Sequence, residues 1–144
     1  MPVPPSKPKG ARTALSDFET VFAVLRDILK QHAGSTLTVS DDTPARYCLE
    51  APVGPATLRA WGGKMKSKTV PVAWAQIGKA YVSFHHMALY DGSALREGMS
   101  QELRKRMQGK TCFNFRAETE VPVSELAALT ARGFAGMRSA GFVR

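Results

Sequence analysis

Residues 70–86, VPVAWAQIGKAYVSFHH, constrain the fold more than any other segment of this chain. Two runs rich in β-branched and aromatic residues flank Gly78-Lys79, so the segment reads as a β-hairpin. Glycine at the first central position suits a two-residue type II′ turn, which needs positive φ there. That turn pairs Ile77 with Ala80, Ala75 with Val82, Trp74 with Ser83, Ala73 with Phe84 and Val72 with His85. Side chains alternate along a strand, so Val72, Trp74, Tyr81, His85 and Met87 collect on one face and Ala73, Ala75, Val82 and Phe84 on the other. Both faces are substantially apolar, and a helix layer easily covers only one of them. The Trp74 face needs a second cover, from the N-terminal tail, neighbouring loops, a ligand or a second copy of the chain in a homodimer. In this register Pro71 falls opposite His86, and proline has no amide proton for the ladder. Pairing is expected to end, bulge or become an edge there, leaving His86 close to an opening.

Helical spacing dominates the regions before and after this hairpin. Ser16-Asp17-Phe18-Glu19 has the spacing of a capping box and starts a helix at Ser16. Phe18, Val21, Phe22, Leu25, Ile28 and Leu29 then form one apolar stripe, and Gly34 ends it. Short runs at 37–40, 45–50 and 56–61 read as strands, separated by the turn residues Asp41-Asp42-Thr43-Pro44 and Pro52-Val53-Gly54-Pro55. Downstream, Ser100 caps a short basic helix stopped by Gly109. KTCFNFR alternates as a strand, with Cys112 and Asn114 on one face and Phe113 and Phe115 on the other. A last helix spans 124–140, where Gly133 and Gly136 each cost about 1 kcal/mol relative to alanine and so imply close approach to the sheet or a break. The fold class is α+β, an antiparallel sheet of about five or six strands with helices packed mainly on one face. A chain of 144 residues is the size of one domain. It is expected over 15–144, behind a basic proline-rich tail (1–14) that is disordered or extended.

No apolar run approaches the roughly 20 residues that span a bilayer, and the N-terminus lacks the apolar core of a secretory signal. Cys48 and Cys112 are the only cysteines, which argues against a disulfide framework. A cytoplasmic protein with no membrane partner is expected. The formal charge of +8 attracts polyanions, and it is clustered at Arg59, Lys64, Lys66 and Lys68 and again at Arg104, Lys105, Arg106, Lys110 and Arg116. Nucleic acid is one expected partner, held by Lys64, Lys66, Lys68, Arg104, Lys105 and Arg106, with Trp61 and Trp74 as stacking surfaces if exposed. A solvated loop and a solvated helix face account for the same charges more simply.

No motif carries chemistry by itself. Gly109-Lys110-Thr111 lacks the upstream glycine of a phosphate loop, since Arg104 stands there, and it precedes a strand rather than a helix. His85 and His86 point to opposite faces of one strand and cannot share a metal. A metal site needs one of them with Cys48, Cys112, His32 or a carboxylate brought in by folding, and no pair has zinc-like spacing. No metal ligand and no cofactor is therefore assigned. His86 is expected to be partly buried and hydrogen-bonded, and His85 interfacial. Lys110 shares the strand parity of Cys112, and a nearby ammonium lowers a thiol pKa, yet a buried structural cysteine is the expected state. Ser83 and His85 share a face without an orienting acid or an oxyanion site, so no catalytic residue is assigned.

The strand YVSFHHMALY, the glycine-terminated basic helix, the aromatic strand GKTCFNF and the proline-introduced helix EVPVSELAALTARGF resemble the YdhG-like family of small bacterial domains, mostly of unknown function. The resemblance covers roughly residues 15–142 and implies a helix-plus-antiparallel-sheet fold. Some members are described as frataxin-like iron chaperones, which implies metal handling. A frataxin-like iron surface is built from many acids, whereas the first helix here offers Asp17, Glu19 and Asp27 in a chain of positive net charge. The expected function is a non-enzymatic binding or accessory module of unknown ligand. Its site is the less covered face at Trp74, Tyr81, His85 and Met87, with His86 and Lys110 at the margin. A metal chaperone and a nucleic-acid-binding protein are the alternatives.

Overall fold

The computed structural model describes residues 11–60, 63, 68–90 and 93–143. Helix α1 (Ala11–Lys30) is followed by strands β1 (Thr38–Asp42) and β2 (Arg46–Pro52), then a short α2 (Pro55–Ala60). The hairpin strands are β3 (Thr69–Ile77) and β4 (Val82–His86). After a 3-10 turn (Met87–Leu89) come α3 (Ser93–Glu97), α4 (Gln101–Arg104), β5 (Met107–Gln108) and β6 (Cys112–Phe115). A second 3-10 turn (Glu118–Glu120) leads into α5 (Val123–Ser139). The strands form one antiparallel sheet in the order β1-β2-β3-β4-β6-β5. This is the expected α+β class. No described helix is long and apolar enough to cross a membrane.

A single hydrophobic cluster explains why both long helices lie on one face. Val21, Phe22, Leu25, Ile28 and Leu29 of α1 and Leu126, Leu129, Phe134 and Met137 of α5 pack with Tyr47, Leu49, Ala73, Ala75, Val82, Phe84, Phe113 and Phe115. Those strand residues are the alternate positions that point one way from the sheet. Each large aromatic fully buried there contributes roughly 1.5–3 kcal/mol by leaving water.

Several expectations are corrected. Helix α1 begins at Ala11, so Ser16 lies inside it rather than at its cap, and residues 11–14 belong to the helix and not to the tail. The segment 56–61 is helical over Pro55–Ala60: Pro55 occupies the first helical position, where its missing amide costs nothing, and Leu58 N donates to Gly54 O at 3.0 Å. Trp61 lies outside the described residues. The β3–β4 turn spans four residues, 78–81, with Gly78 N donating to Tyr81 O at 2.9 Å. Gly78 is not among the glycines with positive φ, the condition a type II′ turn imposes. Ile77 therefore pairs with Val82, Trp74 with His85 and Ala73 with His86. The slip is two residues, an even number, so each of these paired residues keeps its face.

Pro71 does sit at an irregularity, but on the β2 side. The β2–β3 register shifts between Leu49 and Glu50, which face Ala73 and Pro71. The extra residue, Val72, turns into the core at 2% exposure instead of lying beside Trp74. His86 is likewise not near an opening: it is 1% exposed.

Candidate functional site

The six-stranded register aligns side chains across the face that carries no described helix. Asp41 pairs with Cys48, Cys48 with Trp74, Trp74 with His85, His85 with Cys112, and Cys112 with Gln108. One transverse row thus crosses every strand, and a polar row Arg46, Gln76, Ser83, Asn114 runs next to it. Arg46, Trp74, Ser83, His85 and Asn114 are all partly exposed, as expected of a face without a helix layer.

Trp74 is the centre of the row. The His85 ring stacks on it with centroids 4.4 Å apart and planes 17° from parallel. The Arg46 guanidinium lies 5.7 Å from the indole centroid, within cation–π range. Arg46 is itself oriented by Asp41 Oδ2 at 2.6 Å and Gln76 Oε1 at 3.3 Å. Burial lowers the affinity of the His85 ring for a proton, and the positive charge of Arg46 adds to the effect, so the ring is neutral at pH 7. Cys48 and Cys112 flank the aromatic pair at 2% and 9% exposure. Burial raises the pKa of both thiols, which makes neither an activated nucleophile. Three strand spacings separate them, about 14 Å, far beyond disulfide reach.

The remaining candidates scatter. Tyr81 is 38% exposed but belongs to the turn, not the row. Met87 leaves the sheet and packs against the core from the 3-10 turn. Lys110 is exposed and stands 5.3 Å from the Tyr90 ring centroid, where it interacts with that ring. His86 is on the opposite face from His85: its Nε2 lies 3.1 Å from Thr130 O, and its Nδ1 accepts from Ala88 N at 3.3 Å. A carbonyl can only accept and an amide only donate, so the neutral tautomer with its proton on Nε2 satisfies both. That histidine is a structural peg between β4 and α5, and it drops out of the site.

The polyanion candidates divide similarly. Arg104 donates to the carbonyls of Met99 and Arg96, and Arg106 pairs with Glu120 at 3.3 Å. Both guanidiniums are committed within the fold. Lys68 and Lys105 are exposed, and Lys64 and Lys66 lie outside the described residues. An open groove of about 410 Å³ between α1 and the β1–β2 turn is lined by Phe22, Ala23, Arg26, Asp27, Asp42, Thr43 and Pro44. Its polar groups already answer each other through two Arg26–Asp42 hydrogen bonds of 3.1 and 3.0 Å. Among the described residues, no three or more His, Cys, Asp or Glu side chains converge as a metal cluster would require.

Arg46 and Cys48 were not read as site residues from the sequence. The signal was present: alternation in ARYCLE puts Arg46, Cys48 and Glu50 on one face. What alternation does not reveal is which strand lies beside Trp74. No family model matches this chain, and no curated protein or solved structure shows significant similarity to it.

Proposed function

We propose that this chain is a non-catalytic cytoplasmic binding module whose ligand surface is the helix-free face of the sheet. One observation supports the reading: a partly exposed Trp74–His85 stack, flanked by Arg46, lies at the middle of a face with no described helix above it. Stacked aromatic and guanidinium groups favour a flat ligand, and the Gln76, Ser83 and Asn114 row offers hydrogen-bonding edges beside it. The ligand class is a small planar heteroaromatic with polar edges, laid across the row.

The α+β arrangement is compatible with the YdhG-like resemblance, and family membership is part of this proposal. Iron handling is not, because among the described residues no carboxylate cluster forms on this face. Nucleic-acid binding loses support from Arg104 and Arg106, which are engaged internally.

Screening planar heteroaromatic fragments by protein-observed NMR tests the reading. Hits are expected to shift the Trp74 indole N–H and to lose most of their affinity in Trp74→Ala, a stacking contact being worth about 1–3 kcal/mol. Hits that instead map to the groove at Phe22 and Asp42 would transfer the site there. A homodimer is the competing occupant of the face. Concentration-dependent sedimentation that disappears in Trp74→Ala would replace the small-ligand reading with self-association.

A further inference from the structure

Trp74 covers one face of the His85 imidazole, and among the described residues no second ring covers the other. The two rings stand on neighbouring strands with centroids 4.4 Å apart, close to one strand spacing, and with planes 17° from parallel. Their faces therefore look along the strand order. The side of the imidazole away from Trp74 looks toward β6, where its cross-strand partner is Cys112, a side chain too short to reach the height of a ring. Beyond it stands β5, with Gln108 exposed and opposite Cys112. From β4 to β5 there are two strand spacings, about 9.5 Å, and a ring packed at about 3.5 Å from each side needs about 7 Å. A third ring fits in line with the other two, above Cys112.

The end of that place is polar. Ser83 and Asn114 are directly opposed, each two residues along its strand from His85 or Cys112 and so on the same face, and both are half-buried. The hydrogen bond from His86 N to Thr111 O, 2.9 Å, marks a hydrogen-bonded pair. Such pairs alternate along an antiparallel ladder, which makes 85/112 and 83/114 both the non-hydrogen-bonded kind. Side chains stand closest there, with Cβ atoms about 4.5–5.5 Å apart.

Internal bonds fix what this pair offers. Asn114 Oδ1 accepts from Cys112 Sγ at 3.5 Å, so the free end of the carboxamide is its Nδ2 donor. Ser83 Oγ donates its proton to Gln76 O at 3.5 Å and keeps its lone pairs to accept. Among the described residues no other group bonds either side chain. One donor and one acceptor thus lie side by side. Their complement is a ring carbonyl next to a ring N–H, whereas an edge of two acceptors or two donors leaves one group mismatched.

We propose that Ser83, His85, Cys112 and Asn114 form the seat of a lactam-type heteroaromatic ring, as found in oxopyrimidines and oxopurines. The ring stacks on the β6-facing side of His85, its carbonyl accepts from Asn114 Nδ2 and its N–H donates to Ser83 Oγ. This rests on the helix-free face being the ligand surface, and it narrows the ligand from planar heteroaromatics in general to one edge pattern.

The full-length protein is titrated with hypoxanthine, which carries a lactam edge, and with 1-methylhypoxanthine, in which a methyl group replaces the lactam proton. Binding is followed by NMR at the Trp74 indole N–H and the Asn114 side-chain amide. Hypoxanthine is expected to shift both signals and to bind about 10-fold or more tightly than its methylated form, the scale on which a good two-point edge contact discriminates. Asn114→Asp keeps an acceptor for the thiol but removes the donor, and it should abolish that preference, as should Ser83→Ala. His85→Phe should retain binding, and His85→Ala should lose it about 10-fold. Equal affinity for the two compounds, or an unchanged preference in Asn114→Asp, would overturn the lactam reading while Trp74 shifts uphold the face as a ligand surface. Shifts at Trp74 and Arg46 with none at Asn114 would overturn the placement beside His85. Failure of these compounds and of every other planar fragment to shift Trp74 would reject the face itself.

Discussion

Acidification from pH 7 to pH 4 is expected to lower folding stability by about 3 kcal/mol through His86 alone. The ring is 1% exposed and its pKa is lowered from 6.5 to about 4, chiefly by burial, with the Thr130 carbonyl opposing and the charge of His32 adding. A folded pKa below the unfolded one means that the unfolded chain binds the extra proton between these values. The stabilisation is therefore complete above pH 6.5 and is lost as the pH falls toward 4. The gap between 6.5 and about 4, at about 1.4 kcal/mol per pH unit, sets the limit at roughly 3 kcal/mol. The groups around the ring are Thr130, Gly133 and Phe134 of α5 and Ala88 of the 3-10 turn, and none of these ionises to compensate. His32, whose pKa is also lowered by burial, adds in the same direction. Asp42, held below its ordinary 3.8 by Arg26, contributes only at lower pH. Urea unfolding at pH 7 and pH 4 checks this: His86→Gln should start less stable and show a flatter pH profile. An unchanged slope in that variant, or a His86 Cε1–H resonance titrating near pH 6.5, would refute the assignment.

The same substitution made three residues apart on α5 should have opposite signs. A Cβ at Gly133 would stand 2.6 Å from His86 Nε2, 2.8 Å from its Cε1 and 3.1 Å from Ala88 Cβ. The ring has no free direction to yield, being held by Thr130 O and Ala88 N and packed 4.4 Å from Phe134. Overpacking costs about 1–3 kcal/mol. Giving up the Nε2 hydrogen bond instead strands a buried donor, at about 1–3 kcal/mol. Better helix propensity returns only about 1 kcal/mol, so Gly133→Ala is net destabilising, by up to about 2 kcal/mol. Nothing lies within 4 Å of a Cβ at Gly136, and there the propensity acts unopposed. Gly136→Ala should stabilise by up to about 1 kcal/mol, or roughly 2–4 °C in Tm for a chain of this size. Thermal melts of the two variants moving in the same direction would show that the His86–Gly133 contact does not limit how α5 packs.

Gly133 also illustrates what could be read before the fold was known. A glycine inside an apolar helix implies close approach to something, but its partner, His86, is 47 residues away in the chain. Turn chemistry was partly misleading for a local reason. Gly78 permits a two-residue turn without requiring it, and the longer loop lets Trp74 and His85 stack. The basic cluster at 104–106 shows the converse: its charge is evident in sequence, while the carbonyls and the Glu120 carboxylate that engage it come from other segments.

Alternation with period two was sufficient to sort Trp74, His85 and Cys112 from Phe84, His86 and Phe113, because that sorting is a property of each strand by itself. It survived a misplaced turn because the slip was even. The neighbours across the sheet were decided by tertiary structure alone. Placing β6 between β4 and β5 set Cys112 beside His85, and the bulge at Val72 moved that residue into the core. Such pairings join segments tens of residues apart, and the free energy that selects them comes from burying one shared core, a sum over the whole chain that no local pattern contains.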